Sequence, residues 1–314
     1  MKTTTNILII STNALGDAFL SCSAIEPLNK FFKKVKIDFI ANSNCKFFLK
    51  YAGINNIYYL NKRTIDSIIK LIFQISWEKY DYVFCFFPGL INTLFYFITN
   101  SIFKYGFINY FRLKEWHDIS QNLYINNIKS ESFIWKPEFN FLERIKIALS
   151  ASGVETEYVK KYIFPIQIEN CNKNNSILLS FSSRNKNKCL TYELTIKLIE
   201  YFCKNKHLII NVLDTENNLN DLRKYDNLYI YNNPNLCELI RLIEKCNLFI
   251  GVDSFALHIA DAYNANILGL FAPTNPASVF QFELNKYHFV RKKNISEITL
   301  PDIIRICSNI NNTY

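Results

Sequence analysis

Glycine is scarce in this chain, with seven residues in 314 where ordinary usage of about 7% predicts roughly 22. The phosphate-binding signatures built on glycine are missing with it. Neither the dinucleotide fingerprint G-x-G-x-x-G nor the phosphate loop G-K-S/T occurs, which removes the two commonest glycine-rich nucleotide cradles. Cysteine lacks any pairing pattern: nine residues, an odd number, with no C-x-x-C. They read as reduced core thiols of a cytoplasmic protein, not as a disulfide framework. No unbroken apolar run reaches the ~20 residues of a spanning helix. The strongest stretch, residues 83–111, is cut by Pro88-Gly89, Asn92, Asn100 and Lys104 and reads as a buried strand followed by a buried or interfacial helix. The opening MKTTTNILIISTNALGD has too short an apolar segment for a signal peptide and no small-residue cleavage site.

What is present is apolar and aromatic. Hydrophobic residues make up 49%, aromatics 16% and charged residues 20%, the balance of a folded globular protein, and the length suits two domains of roughly 150 residues. The net charge of +9 is spread evenly: residues 1–157 hold 18 basic against 13 acidic side chains and residues 158–314 hold 18 against 14. A spread excess fits phosphorylated or other anionic ligands, or an acidic membrane face, and fits a lysine-rich solvated surface equally well. Without a basic stripe or recognition motif it does not describe a nucleic-acid binder.

Short β-rich apolar runs alternate with helical segments, the pattern of parallel sheets with crossover helices. Strands are expected at Asn6–Ser11, Val35–Ala41, Asn56–Leu60 and Tyr82–Phe87, with helices at Ala18–Phe32, Asn44–Tyr51, Ile65–Ile75 and Leu90–Ile102. After a less regular stretch and a helix at Asn140–Ser150, a second cycle runs from Ser176. It has strands at Ser176–Phe181, His207–Leu213, Leu228–Tyr231, Leu248–Val252 and Ile267–Phe271, and helices at Tyr192–Cys203, Asn218–Lys224, Leu236–Lys245 and Ser254–Tyr263. The expected architecture is α/β, two Rossmann-like domains at 1–165 and 166–314 facing a central cleft.

Three polar segments follow strands, where ligands of such sheets bind. The first is Ser11-Thr12-Asn13-Ala14-Leu15-Gly16-Asp17, a loop in which Leu15 and Gly16 let backbone approach a ligand. Asp17 there is either the N-cap of the next helix or a carboxylate acting as general base. The second is Gly251-Val252-Asp253-Ser254-Phe255-Ala256-Leu257-His258. Asp253 and Ser254 meet the free amides of a helix start, a place for phosphate or ribose oxygens, and His258 is either a further ligand contact or a satisfied core residue. The third is Ser182-Ser183-Arg184-Asn185-Lys186-Asn187-Lys188, two hydroxyls followed by cations, which is either a diphosphate site or a solvated turn.

These pieces in this order resemble glycosyltransferase family nine, the bacterial heptosyltransferases of the lipopolysaccharide inner core. The resemblance rests on Ala14-Leu15-Gly16-Asp17, Tyr80–Leu90, Lys104-Tyr105-Gly106-Phe107, Ser182-Ser183 with Lys188, Gly251–His258 and Phe271-Ala272-Pro273-Thr274. It implies a GT-B fold, with the acceptor on the first domain and the nucleotide sugar on the second, and inverting transfer with no cofactor and no essential metal. By the same resemblance Asp17 is the general base, and Ser182, Ser183 and Lys188 hold the leaving diphosphate in place of a metal. Asp253, Ser254 and His258 belong to the donor-binding helix start, and Glu216 lies near the nucleoside. The implied donor is an ADP-heptose or related nucleotide sugar, the acceptor a glycolipid or surface-glycan precursor. The implied location is the cytoplasm, peripheral on the inner face of the inner membrane. The alternatives are the same fold with another nucleotide-hexose donor, and an inactive scaffold of a glycan assembly complex.

Three departures stand out: Phe255 where the family has glycine, Leu190-Thr191 where it has Trp-Pro, and Phe87-Pro88 where an acidic or polar residue precedes the glycine. The Phe, Tyr and Lys of residues 95–115 have two readings, contact with an anionic membrane or core and acceptor cleft.

Overall fold

The computed structural model describes residues 4–108, 129–134, 140–166, 174–214, 219, 222, 224–280 and 287–311. The chain divides into two compact units, Met1–Pro165 and Ile166–Tyr314, each built on a six-stranded sheet. Every strand pairing is parallel.

In the first unit the elements are β1 (Thr5–Ser11), α1 (Leu15–Ser21), α2 (Ile25–Phe31), β2 (Val35–Asn42), α3 (Lys46–Leu49), β3 (Asn56–Leu60), α4 (Ile65–Ser76), β4 (Tyr80–Cys85), α5 (Leu90–Ile98), β5 (Ser101–Ile108), β6 (Lys129–Ile134) and α6 (Phe141–Ala151). The strand order is β3-β2-β1-β4-β5-β6. β1 carries the unbroken apolar run Ile7–Ile10, every residue fully buried, as a central parallel strand covered on both faces requires. α4 and α5 pack their inner residues, among them Leu71, Ile75, Phe95 and Tyr96, into one core with Leu8, Ile10 and Val83 of the sheet.

The helix expected over residues 18–32 starts three residues earlier and is interrupted by a 3-10 turn, Cys22–Ala24. Pro27 explains the break, because it has no N–H to offer the carbonyl four residues back and its ring crowds that carbonyl. The helix expected over 90–102 ends at Ile98: Thr99 is extended and its hydroxyl donates to the Phe95 carbonyl at 2.7 Å. The chain then enters β5, a strand absent from the sequence reading, whose expected helix runs two residues into it. Lys104 of β5 is buried, and its ammonium donates to the Phe97 carbonyl at 2.9 Å, completing the end of α5. Burial pushes this lysine down to about 8. Phe95, Tyr96, Tyr105 and Phe107 are buried with it, so these residues belong to the core, while Ile98 and Ile102 of the same segment are exposed; residues 109–115 lie outside the described residues. α6 carries a full capping box, with Asn140 accepting from Leu142 N–H at 2.9 Å and Glu143 accepting from Asn140 N–H at 2.8 Å.

The second unit runs β7 (Ser176–Ser180), α7 (Tyr192–Cys203), β8 (Ile209–Asp214), β9 (Leu228–Asn232), α8 (Leu236–Lys245), β10 (Leu248–Val252), α9 (Phe255–Ala262), β11 (Ile267–Phe271), α10 (Pro276–Val279), β12 (His288–Arg291) and α11 (Leu300–Asn311). Its order is β12-β11-β10-β7-β8-β9. The last three elements have no counterpart in the sequence reading, and the helix expected at 218–224 lies largely outside the described residues. α9 ends on Asn264, a residue with φ of 53°, and Ala265 N–H reaches back to the Ala260 carbonyl at 2.9 Å, the closure that usually employs glycine.

Among the described residues no helix is long and apolar enough to cross a membrane, and all eight described cysteines are free thiols. Gly269, inside β11, is there for space: a Cβ at this position would collide with the Phe271 ring and press on Phe280, which meet edge to face at 5.4 Å. Gly269→Ala is expected to destabilise the second unit by roughly 1–3 kcal/mol, read as a lower urea midpoint with unchanged slope; an unshifted midpoint would contradict the packing argument.

Candidate active site

Both sheets change winding direction once, between β1 and β4 and between β10 and β7. At such a point adjacent strands send their loops apart and leave a crevice at the carboxyl edge. The candidate residues of each unit gather there.

In the first unit, the loop after β1 is tied to the loop after β4 by Asn92, a fully buried side chain of α5. Its carbonyl accepts from Thr12 N–H at 2.8 Å and the Thr12 hydroxyl at 2.6 Å, while its amide donates to the Phe87 carbonyl at 2.8 Å. Asn13 donates to the Pro88 carbonyl at 3.2 Å. Gly89 packs beside it: a Cβ there would lie 2.6 Å from Asn13 Oδ1 and displace that amide. From outside, Arg63 donates to the Thr12 carbonyl at 3.2 Å.

The N-cap of α1 is Ala14, with no side-chain cap. Asp17 is therefore not the cap, and that reading is corrected. Leu15 and Gly16, expected in a loop, are the first two residues of the helix. Asp17 lies half-buried in the first turn, where the helix dipole favours negative charge. Its electrostatic neighbour is Arg144 of α6, a buried cation whose guanidinium lies over the rings of Phe141 at 5.0 Å and Phe87 at 5.6 Å. Burial pushes Arg144 down to about 10, and Asp17 pulls it back up. The departure at Phe87 thus supplies an aromatic wall for this cation.

In the second unit, the loop after β7 folds on a thiol. Ser183 N–H donates to Cys189 Sγ at 3.1 Å and the thiol donates back to the Ser183 carbonyl at 3.1 Å. Asn185 starts a 3-10 turn, Lys186–Lys188, by accepting from Asn187 N–H at 3.1 Å. Thr191, where the family has Pro, caps α7 through Leu194 N–H at 3.3 Å. Ser182 and Ser183 sit half-buried at the strand end and Lys188 one turn on.

Lys188 Nζ meets Asp253 Oδ2 at 2.5 Å, joining the loops of the adjacent strands β7 and β10. Burial opposes ionisation of Asp253. The charges of Lys188 and His258, with hydrogen bonds from Lys188 and Thr274, outweigh it and hold the carboxyl below its usual range. His258 is itself buried. Ser254 is the N-cap of α9 but makes no capping bond, and its hydroxyl is buried with no partner among the described residues. Phe255 opens the helix half-buried at the same strand end.

The structure thus brings Lys188, Asp253 and His258 together and sets Ser182, Ser183, Ser254 and Phe255 around them, while Asp17 stands in the other unit's crevice. Glu216 lies outside the described residues. Sequence reasoning missed four participants. Thr274 was quoted within a motif but given no role. Asn92 is the one amide of α5, and Arg144 occupies the inward spacing of Leu142, Ile145 and Leu149; both are polar side chains on buried faces, a readable signal. Arg63 carries no such mark.

A profile of Glycosyltransferase family 9 (heptosyltransferase) matches residues 214–296. No curated protein sequence matches the chain. Among solved structures, the chain is similar to the E. coli heptosyltransferase WaaC with ADP-2-deoxy-2-fluoro heptose, at TM-score 0.70 and 11% identity over 97% of this chain and 99% of that one. It is similar to the E. coli ADP-heptose lps heptosyltransferase II at 0.67 and 14% over 97% and 98%. A family 9 glycosyl transferase from Veillonella parvula DSM 2008 aligns at 0.70 and 14% over 99% and 90%. The shared fold is GT-B, two parallel-sheet α/β domains.

The ion pair makes a pH prediction. Asp253 is depressed from 3.8, so it contributes stability that is complete above the unfolded-state value and is lost as pH falls through the lower folded value. In Lys188→Met burial dominates and the carboxyl rises. The variant is expected to be about 2–3 kcal/mol less stable near neutrality, with the gap closing below about pH 4. Urea unfolding across that range decides; a gap independent of pH would refute the pairing.

Proposed function

We propose that this chain, whose assignment to glycosyltransferase family 9 the profile match and the fold-wide likeness support, transfers a heptose or related sugar from an ADP-activated donor to a lipopolysaccharide-core or other surface-glycan acceptor, with inversion. The carrying observation is the cluster of half-buried Lys188 and Thr274 with buried Asp253 and His258, beside an uncapped helix start whose Ser254 hydroxyl has no partner among the described residues. A cation, an unused hydroxyl and first-turn amides at one strand end are what a nucleotide diphosphate calls for. In this reading Lys188, with Ser182 and Ser183, stabilises the charge that develops on the leaving diphosphate, the task a metal performs in other transferases. Asp253 holds Lys188 in place.

The chemical step is a single displacement. The acceptor hydroxyl oxygen attacks the anomeric carbon from the face opposite the diphosphate while Asp17 takes the hydroxyl proton. The bond from that carbon to the diphosphate oxygen breaks, and its electron pair leaves on ADP. Arg144 supplies the positive charge that neighbours Asp17. A nucleotide-sugar donor and a lipid-linked acceptor assign the reaction to the cytoplasmic face of a membrane.

Phe255 favours a second reading, another nucleotide-activated hexose. A phenyl ring at the first position of α9 occupies space that glycine leaves open and restricts the sugar that fits. Calorimetry with ADP, UDP and GDP separates the two readings: ADP is expected to bind most tightly, and tighter UDP or GDP binding would favour the second. Asp17→Asn is expected to leave ADP affinity unchanged and to lower kcat by about 100- to 10,000-fold. Undiminished transfer by this variant would remove Asp17 as the base.

A further inference from the structure

Large apolar side chains on the surface are concentrated in one layer of the first unit. Among the described residues, eight of the fourteen exposed ones belong to residues 65–102. On α4, Ile65, Ile69, Phe73 and Trp77 recur every four residues and are 75%, 45%, 64% and 85% exposed. On α5, Leu90, Leu94 and Ile98 repeat the spacing, with Leu90 76% exposed. These two helices connect β3 to β4 and β4 to β5, both crossing toward the same side of the sheet. With right-handed crossovers they cover the same face, as their shared core confirms. Each helix is therefore apolar twice, once toward the sheet and once outward. An ordinary surface helix presents charge on its outer face.

The charges near this layer are mostly of one sign. Lys62, Lys70 and Lys79 are exposed around α4; Asp66 and Glu78 are the acidic residues beside them, and α5 carries no charged side chain. An outer face of isoleucine, leucine and phenylalanine, with an exposed tryptophan at one end and lysines along the margin, has the composition of a helix lying in a bilayer interface over anionic headgroups.

We infer that the outer face of α4 and α5 is a docking surface for an anionic lipid bilayer. The inference deepens the reading of a lipid-linked acceptor and rests on it for its purpose. Both helices begin at the carboxyl edge of the sheet, next to the candidate base. Arg63, two residues before α4, donates to the Thr12 carbonyl, and Gly89, the residue before α5, packs on Asn13. Ile65 and Leu90, the most exposed residue at each helix start, therefore flank the loop that leads into Asp17. A sugar carried on a lipid in that bilayer reaches the crevice while its acyl chains stay in the membrane.

The test is sedimentation of the full chain with phosphatidylcholine–phosphatidylglycerol vesicles, with pure phosphatidylcholine vesicles as comparison and without donor or acceptor, so its outcome is independent of glycosyl transfer. The unsubstituted protein is expected to sediment with the mixed vesicles, more weakly with the neutral ones and more weakly in high salt. Phe73→Gln with Trp77→Gln, and separately Leu90→Gln with Leu94→Gln, are expected to weaken mixed-vesicle binding roughly tenfold or more. All four side chains are exposed, and circular dichroism checks that the variants remain folded. Equal vesicle binding by the variants, or no binding by the unsubstituted protein, overturns the proposal. So does a concentration-dependent dimer in analytical ultracentrifugation that both double variants dissolve, because a second copy would then cover the face.

Discussion

A parallel sheet wound with right-handed crossovers can grow in both directions only if, at one place, neighbouring strands send their chains to opposite faces. The candidate residues of this protein are arranged around that constraint, met once in each unit. At β1/β4 the diverging loops are held by hydrogen bonds to a buried amide, Asn92. At β10/β7 they are held by a charge pair, half-buried Lys188 with buried Asp253. The devices differ: a neutral latch leaves the field around Asp17 to Arg144 and the helix start, whereas a charge pair sets a cation against a buried carboxylate.

Much of the fold was legible because a sheet covered on both faces leaves an unmistakable trace. β3, β10 and β11 carry the bounds expected from short apolar runs, and α7 and α8 those expected from helical periodicity. The misses have physical causes. Residues 90–108 satisfy a helix pattern and a strand pattern in one continuous apolar stretch, and only the extended Thr99 separates α5 from β5. β12 is four residues long with a polar residue at each end, too short to show a period. The motifs near the site were visible as polar residues following strands. That Lys188 touches Asp253, 65 positions away, depends on β7 lying beside β10, which strand order decides and local sequence does not.

The departures from the family pattern divide in the same way. Phe87 and Thr191 have local structural accounts, one as a wall for Arg144 and the other as a helix cap. Phe255 opens α9 half-buried, directly after an N-cap serine that does not cap.

Asn264 closes α9 in the left-handed region, and Asn233 adopts the same conformation ahead of α8. Asparagine tolerates this backbone because its short polar side chain bonds locally. Glycine tolerates it more easily in the folded protein but roams more freely when the chain is denatured. By using asparagine at these turns, the chain accepts a small native strain and begins folding from a narrower denatured ensemble, so part of its stability resides in conformations it never visits once folded.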